Sequence, residues 1–455
     1  MCYLFRWERI FLIVLFCLGA ACVSRAQTFT VLANFDGTNG AMPTCALIQA
    51  TDGYLYGTTH RGGTDHVGTI FRMTLAGAMT VLHHFEGTDG EYPYAGMLQA
   101  TDGNFYGTTW EGGAYGGGTF FRYIPGATLT TLYNFPLANG HADSEPIQSS
   151  PNFIYGSTPG TSGNNGTIFK VGLGGKLTTV YTFCAEASCA DGSKPSGLTE
   201  AADGNVYGTT YFGGTSNFGT FFKFTPAGTL TTLFNFSLAN PNPYAPLVQA
   251  ASGVFYGTID GGYGSYANGS VFEITPTGVL TTLHQLVPSE GQDPEGGLII
   301  ATDGNLYGDA KHGGIRDGTL FQVTPAGAFT VLHSFNGTDG SGPIAALMQA
   351  TDGNLYGSAN AGGANGDGTI FRLSMGLGPF VKMLPAFGKA GSTVQILGTN
   401  LAGATGVAFD GLAAAFSVVS PSLITATVPT GATTGTIQVT TPGGTLASNV
   451  PFRVR

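Results

Sequence analysis

Charge is what this 455-residue chain has least of: Asp, Glu, Lys and Arg together make up 10% of it, against about 25% in an average soluble protein. That scarcity excludes a chain kept disordered by its own charge. The 17 Lys and Arg never gather into a block and are outnumbered by 27 Asp and Glu, for a net charge of −10, so a nucleic-acid groove is excluded too. Apolar runs long enough to cross a membrane are missing: the run from Ile10 to Ala21 falls short of the ~20 residues a span needs. Helical periodicity is also absent. What abounds is Gly, with 73 copies, beside 12% aromatic residues, the composition of strands and tight turns.

The short apolar run has a use of its own. Arg6 and Arg9 flank it, and Ser24-Arg25-Ala26 offers small residues where a signal peptidase reads, so residues 1–26 are expected to be a cleaved export signal. The mature chain is then secreted or held at the cell surface, with no transmembrane segment. Gly19-Ala20-Ala21-Cys22 is a loose lipobox, and the alternative makes Cys22 a lipid-bearing N-terminus. Cys2, Cys17 and Cys22 leave with the leader. Of the other three, Cys184 and Cys189 are spaced for a small loop disulfide in an oxidising compartment, and Cys45 is left as a buried thiol. No further Cys or His stands near them, so neither a metal nor a cofactor is expected.

Internal periodicity dominates the rest. A Tyr-Gly pair recurs with Tyr at 56, 106, 155, 207, 256, 307 and 356, which makes seven units of about fifty residues. Each opens on two strand-like runs around Asp-Gly, as in ALIQATDGYLYGTT, a strong hairpin signal. A Gly-rich stretch follows, then two more runs around a Pro/Ala-Gly turn, as in GTLFQVTPAGAFTVLHSF. In the first copy the four strands are a (Ala46 to Ala50), b (Tyr54 to Thr58), c (Thr69 to Met73) and d (Thr80 to Phe85). Strand c is apolar on both faces in every copy, as a sheet covered on both sides requires. The reading is all-β: a seven-bladed β-propeller over 28–375. Strand-d sequences begin before the first strand a, at residues 30–35, and the last repeat lacks a good one. TFTVLANF at the N-terminus is therefore expected to complete the seventh blade and close the ring, removing open edges.

After Gly378 the text changes to short alternating strands between Gly/Pro/Asn turns, a small β-sandwich. Gly391-Ser392-Thr393-Val394, Ile396 to Leu401, Ile424 to Pro429 and Val439 to Gly444 resemble the IPT/TIG immunoglobulin-like family over 379–455. The resemblance implies a spacer or interaction module with no catalytic residue. The D-G-N-L-Y-G box (Asp303 to Gly308, Asp352 to Gly357) and the G-T-I-F-R box (Gly68 to Arg72, Gly368 to Arg372) resemble the GloVer tandem-repeat family of exported bacterial proteins with varied C-terminal anchors. That resemblance implies no biochemical role. Kelch repeats share the period but want a Trp each, and beyond the leader only Trp110 is present.

Function is expected on the loops that join b to c and d to a, since both are long and lie on one face of a blade ring. The residues before each Gly-Gly doublet vary: His60-Arg61, Trp110-Glu111, Tyr211-Phe212, Ile259-Asp260, Lys311-His312 and Asn360-Ala361. Aromatics, acids and bases in this mixture suit a glycan or protein ligand. The candidate ligand-binding residues are His60, Arg61, Trp110, Glu111, Tyr211, Phe212, Asp260, Lys311 and His312. Asp52, Asp102, Asp203, Asp303 and Asp352 stand one per repeat on separate hairpin tips, which reads as turn formation over calcium. His83, His84, His284 and His333 in strand d read as packing substitutions. Titratable groups do not converge in the sequence, so no catalytic residue is assigned and a non-enzymatic binding protein is expected. A propeller lyase or hydrolase acting on polysaccharide, with His60 or His312 as general acid or base, is the alternative, and a purely structural envelope protein is another.

Overall fold

The computed structural model describes residues 27–137, 141, 144–150, 152–160, 164–261 and 268–455. The expected leader, with Ala26 and Cys22, lies outside them. The described chain is almost wholly β-structure and loops; a 3-10 turn spans Ala187–Cys189, beside which Cys184 and Cys189 are disulfide-bonded. No helix among the described residues is long and apolar enough to cross a membrane.

Every repeat forms a four-stranded antiparallel sheet. In the first, Ile48–Gln49, Leu55–Thr59, Thr69–Met73 and Met79–His84 are hydrogen-bonded in that order, and five more sheets repeat the a-b-c-d order. The seventh is made of Met348–Gln349, Leu355–Ala359 and Thr369–Ser374 with the N-terminal strand Thr28–Asn34 at its edge, in a register running from Thr28↔Ser374 to Asn34↔Thr369. Strand a of the first repeat is shorter than its sequence suggested, spanning Ile48–Gln49, and Ala46 before it lines a pocket.

Three local devices explain the repeated letters. The Tyr-Gly glycine is needed for close approach: a Cβ on Gly57 would stand 2.7 Å from Phe71 Cζ and 2.8 Å from Leu47 Cδ2, and one on Gly257 2.5 Å from Leu247 Cδ2. The strand-c Phe therefore lies against bare backbone, and Phe71 is fully buried. Each hairpin Asp works twice. Asp52 Oδ1 accepts from the Tyr54 amide and its Oδ2 from the Tyr56 hydroxyl at 2.8 Å, and Asp102, Asp203, Asp303 and Asp352 repeat the Tyr contact at 2.8–3.0 Å.

The third device joins neighbouring sheets. The Gln99 side chain accepts from the Thr51 amide at 2.9 Å and donates to its hydroxyl at 3.2 Å; Gln148 does the same to Thr101, and Gln349 to Thr302. Gln49 accepts from the amide of Thr351 at 2.8 Å, so the first and seventh sheets are clamped like sequential neighbours. They also share a core of Leu47, Phe71, Met348, Tyr356 and Ile370, while Phe29 stacks on His333 at 3.7 Å between the seventh and sixth sheets. The strand-d histidines do more than pack: His83, His284 and His333 hydrogen-bond Asp89, Glu290 and Asp339 at 2.7–2.9 Å.

Residues beyond 380 form two four-stranded sheets, Lys382–Leu384/Thr393–Leu397/Leu423–Thr427/Phe416–Ser420 and Leu412–Ala413/Gly406–Phe409/Ile437–Thr441/Gly444–Ala447. Val394, Ile396, Phe409, Ile424, Val439 and Phe452 fill the space between them. This unit touches the repeats at their a–b hairpins. Ser422 Oγ donates to Thr51 O at 3.3 Å, Thr399 and Thr351 hydroxyls meet at 2.8 Å, and Arg453 and Arg455 reach Ala201 O and Glu200 Oε1 at 2.6 Å each.

Candidate ligand pocket

The two long loops of a repeat are stitched together by backbone. Ala41 pairs with Arg61, Glu91 with Glu111, Gln292 with His312 and Ser341 with Ala361. Next to each pairing the d–a loop adopts a left-handed residue before proline: Met42-Pro43, Tyr92-Pro93, Lys194-Pro195, Asn242-Pro243 and Asp293-Pro294 have φ of 53–56° at the first residue, and Gly342-Pro343 has 62°. Non-glycine residues avoid this region, and repeated occupancy points to a site the fold must hold. The carbonyl of the left-handed residue accepts from the amide of the first variable-pair residue: His60 to Met42 at 3.0 Å, Trp110 to Tyr92 at 3.1 Å and Lys311 to Asp293 at 3.1 Å. The first member of each such pair is thereby drawn in. His60 is buried, whereas Arg61 and His312 are exposed.

Past the proline, residues from all seven repeats converge. Cys45, Ala95, Ser144, Ser196, Ala245, Gly296 and Ala345 line one cavity of about 300 Å³, with Tyr94, Tyr211, Phe212 and Tyr244 as its aromatic walls and Glu145, Lys194 and Glu295 as its charges. Of the nine residues chosen from the sequence, Tyr211 and Phe212 line this cavity. Asp260 and Lys311 stand one contact behind it. The Tyr211 hydroxyl donates to Asp260 Oδ2 at 3.4 Å, and Lys311 Nζ lies 3.0 Å from Glu295 Oε1. Burial, reinforced by Glu295 and Asp293, pushes the Asp260 carboxyl up to about 6.

The remaining candidates support the walls or flank them. His60 packs against Tyr92, Tyr94 and Trp110 at ring separations of 5.2, 5.7 and 6.0 Å, so it backs Tyr94. Burial first, and Arg61 second, lower it to about 4, which keeps the imidazole neutral. Arg61 lies over the Tyr92 ring at 5.5 Å, Glu111 is held by its backbone bridge to Glu91, and His312 Nδ1 is 2.9 Å from Asp293 Oδ2.

One expectation is corrected here. Titratable groups do converge: Glu145 and Glu295 share the cavity wall, with Asp260, Asp293 and Lys311 around them. Glu145 lies in the degenerate third repeat, where the hairpin box is unreadable. It has no hydrogen-bond or ion-pair partner among the described residues, and burial lifts its carboxyl to about 7. A carboxylate hidden by the alternation of hydroxyls is Asp309, at the strand-b position held elsewhere by Thr58, Thr108, Ser157, Thr209, Thr258 and Ser358. It is buried, and neither of its oxygens meets hydrogen-bond geometry with a described partner. The signal that could have found the site was the X-Pro dipeptide twelve or thirteen residues before each Tyr-Gly tyrosine in six repeats.

A second cavity, of about 390 Å³, adjoins the first. It runs between residues at the strand-a edge, such as Leu47, Val248, Ile299 and Met348, and the C-terminal unit, which contributes Lys382 and Asn449. Glu145, Pro246 and Gly296 line both cavities, and burial lowers the Lys382 amine to about 8.

Comparison with known families bears on the repeats directly. Residues 22–158, 76–263, 126–314 and 242–407 each match the Gloeobacter/Verrucomicrobia repeat. The chain belongs to this family. Residues 380–454 match the IPT/TIG domain, so the repeat family here carries that module at its C-terminal end. No curated protein sequence matches the chain. Among solved structures, it is similar to the extracellular domain of a candidate one component system from B. thetaiotaomicron (TM-score 0.53, 12% identity, covering 92% of this chain and 52% of that one). The extracellular domain of a candidate hybrid two component system from the same organism gives TM-score 0.51 at 10% identity, covering 93% and 57%. The chain thus spans about half the length of these structures, and at such identities the likeness is one of fold.

Proposed function

We propose that the seven sheets close into a seven-bladed β-propeller, the exported and mature part of the chain, and that its long-loop face binds a small polar ligand in the axial pocket. The propeller would span 28–375 and the IPT/TIG module 379–455, docked on the opposite, hairpin face. The observation that carries this reading is the convergence of all seven repeats on one cavity with four aromatic walls and a few directed charges, the make-up of a carbohydrate or peptide-terminus site. The structures it resembles are extracellular domains of candidate signalling proteins, which suits a ligand receiver outside the cell. Tyr94, Glu145, Tyr211, Phe212, Tyr244 and Glu295 are the contacts, with Asp260 and Lys311 orienting Tyr211 and Glu295. His60 and Trp110 stiffen the Tyr94 wall, and Arg61, Glu111 and His312 flank the mouth.

The reading is tested with a glycan and peptide array on the mature chain, followed by a turnover assay on every hit. Binding without turnover, weakened at least tenfold by Tyr211→Ala, is expected. One observation favours a second reading, polysaccharide turnover: Glu145, lifted to about 7, shares the wall with Glu295, a usable pairing of acid and base. Product release abolished by Glu145→Gln would establish catalysis over binding.

A further inference from the structure

The charges around the axial pocket are almost all accounted for. Lys311 pairs with Glu295 at 3.0 Å, Lys194 Nζ sits over the Phe212 ring at 5.2 Å, and Asp260 receives the Tyr211 hydroxyl. Glu145 is the exception: a carboxylate on the wall with no hydrogen-bond or ion-pair partner among the described residues. Its Oε1 lies close over Gly96, 3.2 Å from where a Cβ there would stand. Around the same cavity stand Tyr94, Tyr211, Phe212 and Tyr244. Aromatic faces attract a cation, and a desolvated cation needs a countercharge. An anionic ligand would meet Glu145 unpaired, in a chain already at −10.

We propose that the ligand of the axial pocket carries a protonated amine, which the Glu145 carboxylate receives between the aromatic walls. This rests on the binding reading above and names the chemistry of its ligand, whether an amino sugar or an aliphatic amine. The titratable groups that share walls with Glu145 or act on it are Cys45, Tyr94, Lys194, Tyr211, Tyr244, Glu295 and Lys382. Burial pushes the Cys45 thiol up, so it stays neutral, and Lys382 lies on the far cavity's wall. In the empty pocket burial holds Glu145 near 7; a bound cation favours its charged form, so an amine must displace a proton. Binding therefore tightens as pH rises from 6 to 8.

Calorimetry with 2-aminoethyl glucoside, its N-acetyl derivative, methyl glucoside and 6-aminohexanol tests this on the wild type and on Glu145→Gln. The free amines should bind at least tenfold more tightly than the acetylated probe at pH 8, release protons near pH 7, and lose both properties in Glu145→Gln. Preference for the aminoethyl glucoside over 6-aminohexanol assigns the amine to a sugar, and the reverse assigns it to an aliphatic chain. Equal affinity of amine and acetyl derivative for the wild type overturns the proposal without reference to any variant, and so does undiminished amine binding by a folded Glu145→Gln. If neutral glycans bind in the pocket and amines do not, the amine assignment falls and the binding reading stands. If no probe and no array component binds, both fall.

Discussion

Asp309 offers the most quantitative test of how the pocket loops and strand b fit together. Where other repeats place a hydroxyl residue in strand b, the facing loop residue has a side chain: Cys45 Sγ accepts from the Thr58 amide and hydroxyl at 3.1 Å, and Ser144 Oγ accepts from the Ser157 amide at 2.7 Å. In the sixth repeat the carboxylate is larger and the facing residue shrinks to Gly296, where a Cβ would stand 2.4 Å from Asp309 Oδ1. Burial raises the Asp309 carboxyl well above its ordinary range, while the Gly296 backbone favours the charged form only as a smaller effect. An unsatisfied buried polar group costs about 1–3 kcal/mol. Asp309→Thr should replace two unmet carboxyl oxygens by one unmet hydroxyl, as at Thr209 and Thr258, and leave a methyl-sized gap worth about 1 kcal/mol, so that the net change at pH 7 stays within about 1 kcal/mol of zero, on the stabilising side. Adding Gly296→Ala fills the gap, whereas Gly296→Ala alone collides with the carboxylate. A double-mutant cycle by urea unfolding should therefore give a coupling of at least about 1 kcal/mol between the two positions.

The pH dependence has a definite sign. Because the folded state raises this carboxyl, its stabilising contribution is complete below the unfolded pKa and is lost as pH climbs toward the folded value. The wild type should lose stability relative to Asp309→Thr from about pH 4 upward. Refutation would be an Asp309→Thr protein less stable than wild type at pH 7 with an unchanged pH profile, which would mean the carboxylate is paired and charged.

Other outcomes follow from single contacts. Gln49→Leu strips the Thr351 amide, fully buried, of its partner and should cost about 1–3 kcal/mol in urea unfolding, whereas Gln249→Leu, whose acceptor serves the exposed Ala202, should cost under about 1 kcal/mol. Gly257→Ala inserts a methyl against Leu247 and Phe272 and should destabilise by about 1–3 kcal/mol; Gly174→Ala, with nothing within 4 Å, should be close to neutral in the same assay. Glu200→Ala removes the acceptor of Arg455 and the partner of Arg453, so limited proteolysis should release the C-terminal module faster while leaving the repeat core intact.

Much of the architecture was legible because one packing solution is written seven times. Phe71, Gly57 and Leu47 touch, so neither the aromatic nor the glycine could drift, and the Tyr-Gly spacing survives even in the degenerate third repeat. The Asp role was legible for the same reason, since Asp52 closes its own turn. The Gln clamps were less visible: Gln49 and Thr351 are joined across 302 positions, and only the sheet order brings them together. The pocket was hidden more deeply. Its wall is built by short loop segments contributed by all seven repeats, and its aromatic and charged members stand at positions where the copies differ, which a comparison of copies discards as noise. Glu145 was lost in that way. Attention to the variable pairs reached the cavity at Tyr211 and Phe212, while Arg61 and His312 stand exposed beside it.

A crystal structure of the mature chain with the tightest array component bound tests the central claim most directly. The account predicts that the ligand lies in the axial pocket against Tyr211, Phe212 and Tyr244, within hydrogen-bond reach of Glu145. A ligand seated on the a–b hairpin face or on the C-terminal module, with the axial pocket empty, would contradict it.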